Sequence, residues 1–359
     1  MELKGLQDLR DRIRQVDRQL VTLAAERVDL ARQVGEIKRR EGLPTIDYAQ
    51  ERTVLERVRA AAVESGLDPG FAEEIFVRLI RASVLAQDED NLRRSAQGTG
   101  MTAVVVGGAG RMGRWMRRFL AAQGCVTGSL DPASSPEENT WAEKAVTTAD
   151  LVILSTPPAS TAQRYQEWFQ HPPRGVLADI ASIKSPLIEP IRELQRRGAR
   201  VASIHPMFGP SATLLRDADI VVCDTGDPGA TALMEGLFQP TTARLVRLPL
   251  EDHDRVMADL LSLAHAASIA FALALPESGH PVRSTTFQAL HSLSSSVVRE
   301  SPEVYYEIQA LNPHSRPALD RLRVSLEKLA AAASAPDSTE FERLFEEGAR
   351  KASAGSSGC

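Results

Sequence analysis

Three observations predict a chain of three parts: an all-α N-terminal domain, an α/β domain, and an α-helical C-terminal domain. A heptad stripe opens the sequence. Short apolar runs alternating with helix-like stretches fill its middle, and an alanine- and leucine-rich helical texture closes it. A length of 359 residues suffices for two or three domains, each with its own core. Hydrophobic residues at 43% and charged residues at 25% are the balance of a globular protein. The net charge of −5 excludes a general nucleic-acid binder, which needs a basic face. Cys125, Cys223 and Cys359 are scattered, giving no disulfide framework and no metal-ligand spacing, so no metal is expected. Such sparse cysteine suits a reducing cytoplasm. No apolar run is read as approaching the ~18–20 residues of a membrane span, and the start Met1-Glu2-Leu3-Lys4 carries no secretory signal. The expectation is a soluble cytoplasmic protein with no membrane partner.

The first element is a long helix over residues 3–40. Leu6, Leu9, Ile13, Val16, Leu20, Leu23, position 27, Leu30, Val34 and Ile37 recur in steps of three and four, a seam that packs lengthwise against partners. Gly42-Leu43-Pro44 ends it. A second helix runs from about Asp47 to Glu64 and stops at Ser65-Gly66. A third follows the cap Asp68-Pro69 and continues to about Gln87. Three helices with so long a first member cannot bury that seam alone, so an intertwined homodimer is expected. Polar, glycine-bearing residues follow, with a linker at 91–100 between a helical domain at 1–90 and the next domain at 101–245. There the apolar runs at 103–106, 125–130, 151–154, 176–180, 201–204 and 220–223 predict strands of a mostly parallel sheet. Helices near 256–275, 284–299 and 316–333 make up a last domain at 246–350, and 351–359 reads as a disordered tail.

Gly108-Ala109-Gly110-Arg111-Met112-Gly113 fits G-x-G-x-x-G, directly after a strand and opening a helix. Glycine permits the tight turn, the approach of a pyrophosphate and close helix–strand packing, while the helix N-terminus offers free N–H groups. Asp131, closing the next strand, suits ribose hydroxyls and repels a 2′-phosphate. The middle domain is therefore expected to be Rossmann-like and to bind NAD through Gly108, Gly110, Arg111, Met112, Gly113 and Asp131.

Within the first helix, Arg27 occupies a seam position, where a buried guanidinium needs a partner. Lys38 lies on nearly the same face about 16 Å on, and Arg10 is rotated by roughly 100°, toward a neighbouring subunit. Asp47 and Glu51 sit at i, i+4, as do Ser83 and Gln87. Together these residues describe a mainly cationic, hydrogen-bonding pocket suited to a dicarboxylate.

Residues 3–90 resemble the all-helical chorismate mutases, with Arg10, Arg27, Lys38, Asp47, Glu51, Ser83 and Gln87 on that family's active-site positions. The resemblance implies that Lys38 and Gln87 serve the breaking ether oxygen as catalytic groups. Arg27, with Arg10 from the partner chain, would bind carboxylates, and Asp47, Glu51 and Ser83 would complete the shell. From about residue 101 the chain resembles prephenate dehydrogenases. The motifs are Val106-Gly107-Gly108-Ala109-Gly110-Arg111-Met112-Gly113, Asp179-Ile180-Ala181-Ser182-Ile183-Lys184 and Ile204-His205-Pro206-Met207-Phe208-Gly209-Pro210, and the fusion order is that of bifunctional chorismate mutase/prephenate dehydrogenases. By resemblance His205 is the catalytic proton acceptor, for which histidine's ordinary pKa near ~6.5 is suited. Ser182 orients the reacting hydroxyl or the nicotinamide, His265 contacts substrate, and the C-terminal helices form a dimerisation domain. His253 also falls on a histidine of the fused enzymes.

One position departs from the family. Gln288 stands where a substrate-binding arginine is expected, and an amide cannot form a charged bidentate pair. Arg283, nearby, could substitute. Alternatively the substrate carries an amine at C4, giving the same two reactions on 4-amino-4-deoxychorismate and 4-amino-4-deoxyprephenate. A further alternative is a regulatory binding protein with decayed sites, against which the retained positions argue.

Overall fold

A computed structural model describes residues 2–95, 97–212, 215, 216, 218–277, 282 and 284–356, with side chains from residue 5 to residue 353. Arg283, Cys359 and the last residues of the expected tail lie outside the described residues. The chain forms two compact units: Met1–Thr156, Arg164–Ala181 and Ile191–Leu248 make one, and Pro157–Gln163, Ser182–Pro190 and Pro249–Cys359 the other.

The first unit opens with α1 (Glu2–Arg40), α2 (Tyr48–Glu64) and α3 (Pro69–Ser95). Their ends obey local chemistry. The Asp47 side chain accepts from Gln50 N at 3.0 Å and Asp68 accepts from Phe71 N at 2.8 Å, satisfying helix N–H groups that lack an intrahelical partner. Gly42 and Gly66 take the left-handed φ that stops α1 and α2. α3 packs against both α1 and α2 and runs eight residues beyond Gln87, into the stretch read as linker. Most of the α1 seam nevertheless stays open: Leu9, Leu20 and Leu23 are 62%, 60% and 61% exposed.

The same unit continues into a seven-stranded sheet of order β2-β1-β3-β4-β5-β6-β7. Its strands are β1 (Thr102–Val106), β2 (Val126–Leu130), β3 (Leu151–Leu154), β4 (Val176–Asp179), β5 (Arg200–Pro206), β6 (Asp219–Asp224) and β7 (Arg244–Pro249). β1 to β5 pair in parallel, and β6 runs antiparallel to β5. β1, β3 and β4 are near-continuous apolar runs because helices cover both faces. Each fully buried Val, Leu or Ile contributes roughly 1.5–3 kcal/mol. α4 (Arg111–Ala122) and α8 (Pro228–Phe238) are joined by an aromatic column, with Trp115 on Phe119 at 5.3 Å and Phe119 on Phe238 at 4.4 Å. Because β1 pairs with β2 on one side and β3 on the other, the sheet's switch point lies beside the loop that follows β1.

The second unit is helical. α9 (His253–Met257) passes through a π-helical turn, Ala258–Leu263, into α10 (Ala264–Leu273). Then come α11 (Thr285–Val298), α12 (Pro302–Ala310), α13 (Ser315–Ala333) and α14 (Thr339–Ser356). Two sequence expectations need correction. α14 continues through residues read as a disordered tail. The continuous helical stretch His253–Leu273 has the length and mean hydropathy, 1.7, of a membrane span, and only 22% of that window is buried in this chain. Alanine and interspersed polar residues hid its apolar length.

Candidate active sites

The glycine loop is built by exclusion of side chains. Gly107 has φ +78°, and a Cβ on Gly108 would lie 2.5 Å from Ser129 Oγ and 2.8 Å from Val105 O. On Gly113 it would lie 2.1 Å from the Gly107 carbonyl, so α4 can approach β1 this closely only with glycine there. Gly110 caps α4 without a side-chain bond, which leaves the helix's first N–H groups available to an anion. Met112 packs its side chain against the core, so its backbone is what faces the loop; Arg111 is exposed. Asp131 sits where the sequence places it. Its carboxylate accepts from Ala109 N at 3.1 Å and Ala133 N at 2.9 Å. Asn139 grips the Asp131 backbone on both sides, at 2.9 and 2.8 Å. Asn139 escapes sequence reading because its role is to position another residue from the following helix, α5 (Pro136–Ala145). These glycines and this carboxylate fit a dinucleotide's pyrophosphate and ribose.

In the same unit His205 is buried near the C-terminal end of β5, opposite Val221. One strand over, fully buried Asp179 accepts from Tyr165 Oη at 3.3 Å and Ala181 N at 3.1 Å. Burial, then the neighbouring Asp179 charge and hydrogen bond, push the Tyr165 phenol well above its usual range.

Ser182 is half-buried and opens a segment of the second unit. That segment is pinned by Asp254, whose two oxygens accept from Lys184 N at 2.8 Å and Ser185 N at 2.7 Å. His253 Nδ1 lies 2.7 Å from the same carboxylate. Burial would raise the Asp254 carboxyl, but the bonds from His253, Ser185 and Lys184 outweigh it and hold it below the ordinary value. His253 is thus a buried packing and pairing residue. His265 is half-buried, edge-on to Tyr305 at 4.5 Å, with a buried Nδ1 lacking a hydrogen-bond partner. Burial lowers its pKa. Gln288 is exposed on the first turns of α11.

The helical domain brings some predicted residues together and leaves others apart. Arg27 Nη1 donates to Ser83 Oγ at 2.7 Å and Leu79 O at 3.1 Å, so α3 supplies the partner that the seam position demands. Burial lowers the Arg27 pKa. Gln87 is buried against α1, donating to Ala31 O at 2.7 Å, while its Oε1 has no partner. A Cβ on Gly35 would touch the Gln87 side chain at 2.7 Å, which explains a glycine inside this long helix. Lys38 donates to Thr45 O at 3.1 Å. Glu51 forms a two-point pair with Arg216, which sequence reading missed. Arg10 is exposed on α1, about 25 Å from Arg27 along a straight helix. These two arginines cannot grip one small molecule within a single chain.

Comparison with known proteins covers most of the chain. Residues 9–88 match the chorismate mutase type II family, 137–247 the prephenate dehydrogenase nucleotide-binding domain, and 249–347 the prephenate dehydrogenase dimerization domain. The T-protein of Enterobacter agglomerans is 31% identical over 311 residues, 84% of this chain and 80% of that protein. The 4-amino-4-deoxyprephenate dehydrogenase of Streptomyces pristinaespiralis is 32% identical over 268 residues, 68% of this chain and 88% of that protein. The crystal structure of prephenate dehydrogenase from A. aeolicus, with hydroxyphenyl propionate and NAD+, shares the fold at a TM-score of 0.54. Its identity is 16%, over 70% of this chain and 98% of that chain.

Proposed function

The chain belongs to the family of bifunctional chorismate mutase/prephenate dehydrogenases. On that premise we propose that it rearranges chorismate to prephenate and then oxidatively decarboxylates prephenate to 4-hydroxyphenylpyruvate with NAD+, two steps toward tyrosine. The observation that carries the reading is the joining, in one chain, of a part-buried Arg27 clasped by Ser83 to a glycine loop faced by Asp131. The first is a site for a small carboxylate and the second a site for a dinucleotide.

The mutase half needs no nucleophile and no base. Arg27 and the partner's Arg10 hold the substrate carboxylates, which the separation of these arginines along α1 makes a property of a homodimer. Lys38 and Gln87 donate to the ether oxygen as its bond breaks, the Gln87 amide having a second N–H beyond the one given to Ala31. Ser83 orients Arg27, and Asp47 and Glu51 complete the polar shell, their carboxylates accepting from the C4 hydroxyl. In the dehydrogenase half, Gly108, Gly110, Arg111, Met112, Gly113 and Asp131 hold the dinucleotide. NAD+ there supplies the acceptor for the hydride leaving C4 of the ring. His205 takes the C4 hydroxyl proton, Ser182 orients that hydroxyl, and His265 and Gln288 contact the substrate. Carbon dioxide then leaves and the ring becomes aromatic. We assign residues 1–90 to the mutase, 91–100, which begins with the last turns of α3, to the linker, 101–245 to nucleotide binding and 246–350 to substrate binding and dimerisation. The free, buried Cys125 and Cys223 suit a soluble enzyme of the reducing cytoplasm.

A second reading keeps both reactions but moves them to the 4-amino-4-deoxy substrates. Gln288 favours it, because an arginine there would repel a protonated amine. Loss of chorismate absorbance and NAD+ reduction with prephenate or its 4-amino analogue test both readings. Turnover of prephenate is expected to exceed that of the amine. His205→Asn should lower NAD+ reduction ~100-fold with little change in NAD+ affinity. No turnover in either half would sink the enzyme reading.

A further inference from the structure

Arg216 lies between β5 and β6, on the segment that leaves the strand carrying His205. Two of its described residues are held in the sheet domain. Trp115 Nε1 donates to Ala212 O at 2.8 Å, and Leu215 is buried in the sheet's core. Arg216 is thereby delivered onto α2. Its guanidinium meets both Glu51 oxygens, at 2.8 and 2.6 Å, and lies 5.4 Å from the centre of the Tyr48 ring one helical turn away. The two side chains are only 12% and 19% exposed. A two-point, largely desolvated pair has a fixed geometry, unlike a loose surface ion pair.

We propose that Arg216 determines the specificity of the mutase reaction: paired with Glu51, it makes the pocket accept a neutral hydroxyl at substrate C4 and reject an ammonium. This rests on the reading of Glu51 as a contact to that C4 group. A carboxylate offers about four lone-pair positions, so after the guanidinium takes one on each oxygen, a hydroxyl can still donate to Glu51. The pair is electrically neutral. It therefore does not repel the substrate's two carboxylates, as a bare Glu51 would. An ammonium seated on Glu51 would lie about 5 Å from the guanidinium, whose repulsion offsets most of the carboxylate's attraction and weakens binding by about 10-fold or more relative to a bare Glu51 at the effective dielectric of a partly buried site. The nucleotide-binding domain thus sets the charge of a pocket in the domain before it.

The test is steady-state mutase kinetics of the full chain with chorismate and with 4-amino-4-deoxychorismate. Wild type should favour chorismate in kcat/KM by about 10-fold or more. Arg216→Gln should shift that ratio toward the amine by about 10-fold, chiefly through KM, while Arg216→Lys, which keeps the charge, stays within about 3-fold of wild type. NAD+ reduction with prephenate should change by less than about two-fold in both variants, reporting an intact fold. Equal loss for both substrates would make the pair a structural tether and overturn the proposal, as would a wild type that prefers the amine. If Glu51→Gln leaves both substrates untouched, the premise and the proposal fall together. Absence of mutase turnover in wild type would instead defeat the functional reading itself.

Discussion

At the scale of single residues, the nucleotide site depends on atoms that are missing. A Cβ on Gly113 would sit 2.1 Å from the Gly107 carbonyl, a distance no rotamer can relieve because both partners are backbone. Gly113→Ala must push α4 away from β1 or distort the loop, at a cost of about 1–3 kcal/mol or more. The expected outcome is NAD+ affinity weaker by ~10-fold or more and a lower melting temperature, measured by fluorescence titration and thermal denaturation. Retained NAD+ affinity would show that the helix start is not what holds the phosphates. The glycine pattern and Asp131 were legible because the close contacts and hydrogen bonds that fix them lie within one β-loop-α unit and its next strand. Arg216 was not: it pairs with Glu51 across 165 positions of chain, and no local pattern announces such a contact. Asp254 was hidden for the same reason, since its partners at 184 and 185 come from another segment.

At the scale of elements, the end of α3 carries a pH-dependent weakness. Asp88 is 5% exposed; one oxygen accepts from Thr242, between α8 and β7, and the other has no partner. Burial, only partly opposed by the Thr242 bonds, pushes its carboxyl up to about 6. The folded state thus prefers the protonated form more than the unfolded chain does, whose aspartate titrates near ~3.9. The stability this group contributes is fully present below about pH 4 and is lost as pH rises through about 6, an effect on the order of 2 kcal/mol. Asp88→Asn keeps an acceptor for Thr242 and cannot ionise. It should be more stable than wild type at pH 7.5, with the difference vanishing near pH 4 in urea denaturation. A constant difference across that range would exclude Asp88 as the source. Elements themselves were readable where they carry their own punctuation, as at Asp47, Asp68-Pro69 and Gly42. β7 and α12 were not read at all. The Arg-Leu-Val-Arg-Leu-Pro of β7 is half-exposed and carries two arginines, so it lacks the apolar run by which the inner strands declare themselves.

At the scale of the whole molecule, the proposed homodimer rests on α1. Its stripe of apolar residues stays exposed in one chain, and Arg10 lies about 25 Å along the helix from Arg27. In the proposed homodimer a second copy laid along the stripe would both bury it and bring an Arg10 to each Arg27. Every mutase pocket then needs Arg27 from one chain and Arg10 from the other. Arg10→Ala and Arg27→Ala should each abolish most chorismate turnover alone. Refolded together in equal amounts, half of the dimers carry one chain of each kind. In such a dimer one pocket has lost both arginines and the other has kept both, so about a quarter of wild-type mutase activity should return. NAD+ reduction with prephenate serves as the control, because neither arginine belongs to the dehydrogenase half. Failure to recover activity, with mixed dimers demonstrated by differently tagged chains, would show that Arg10 does not complete the partner's Arg27 pocket. The long first helix would then need another reason for its exposed stripe.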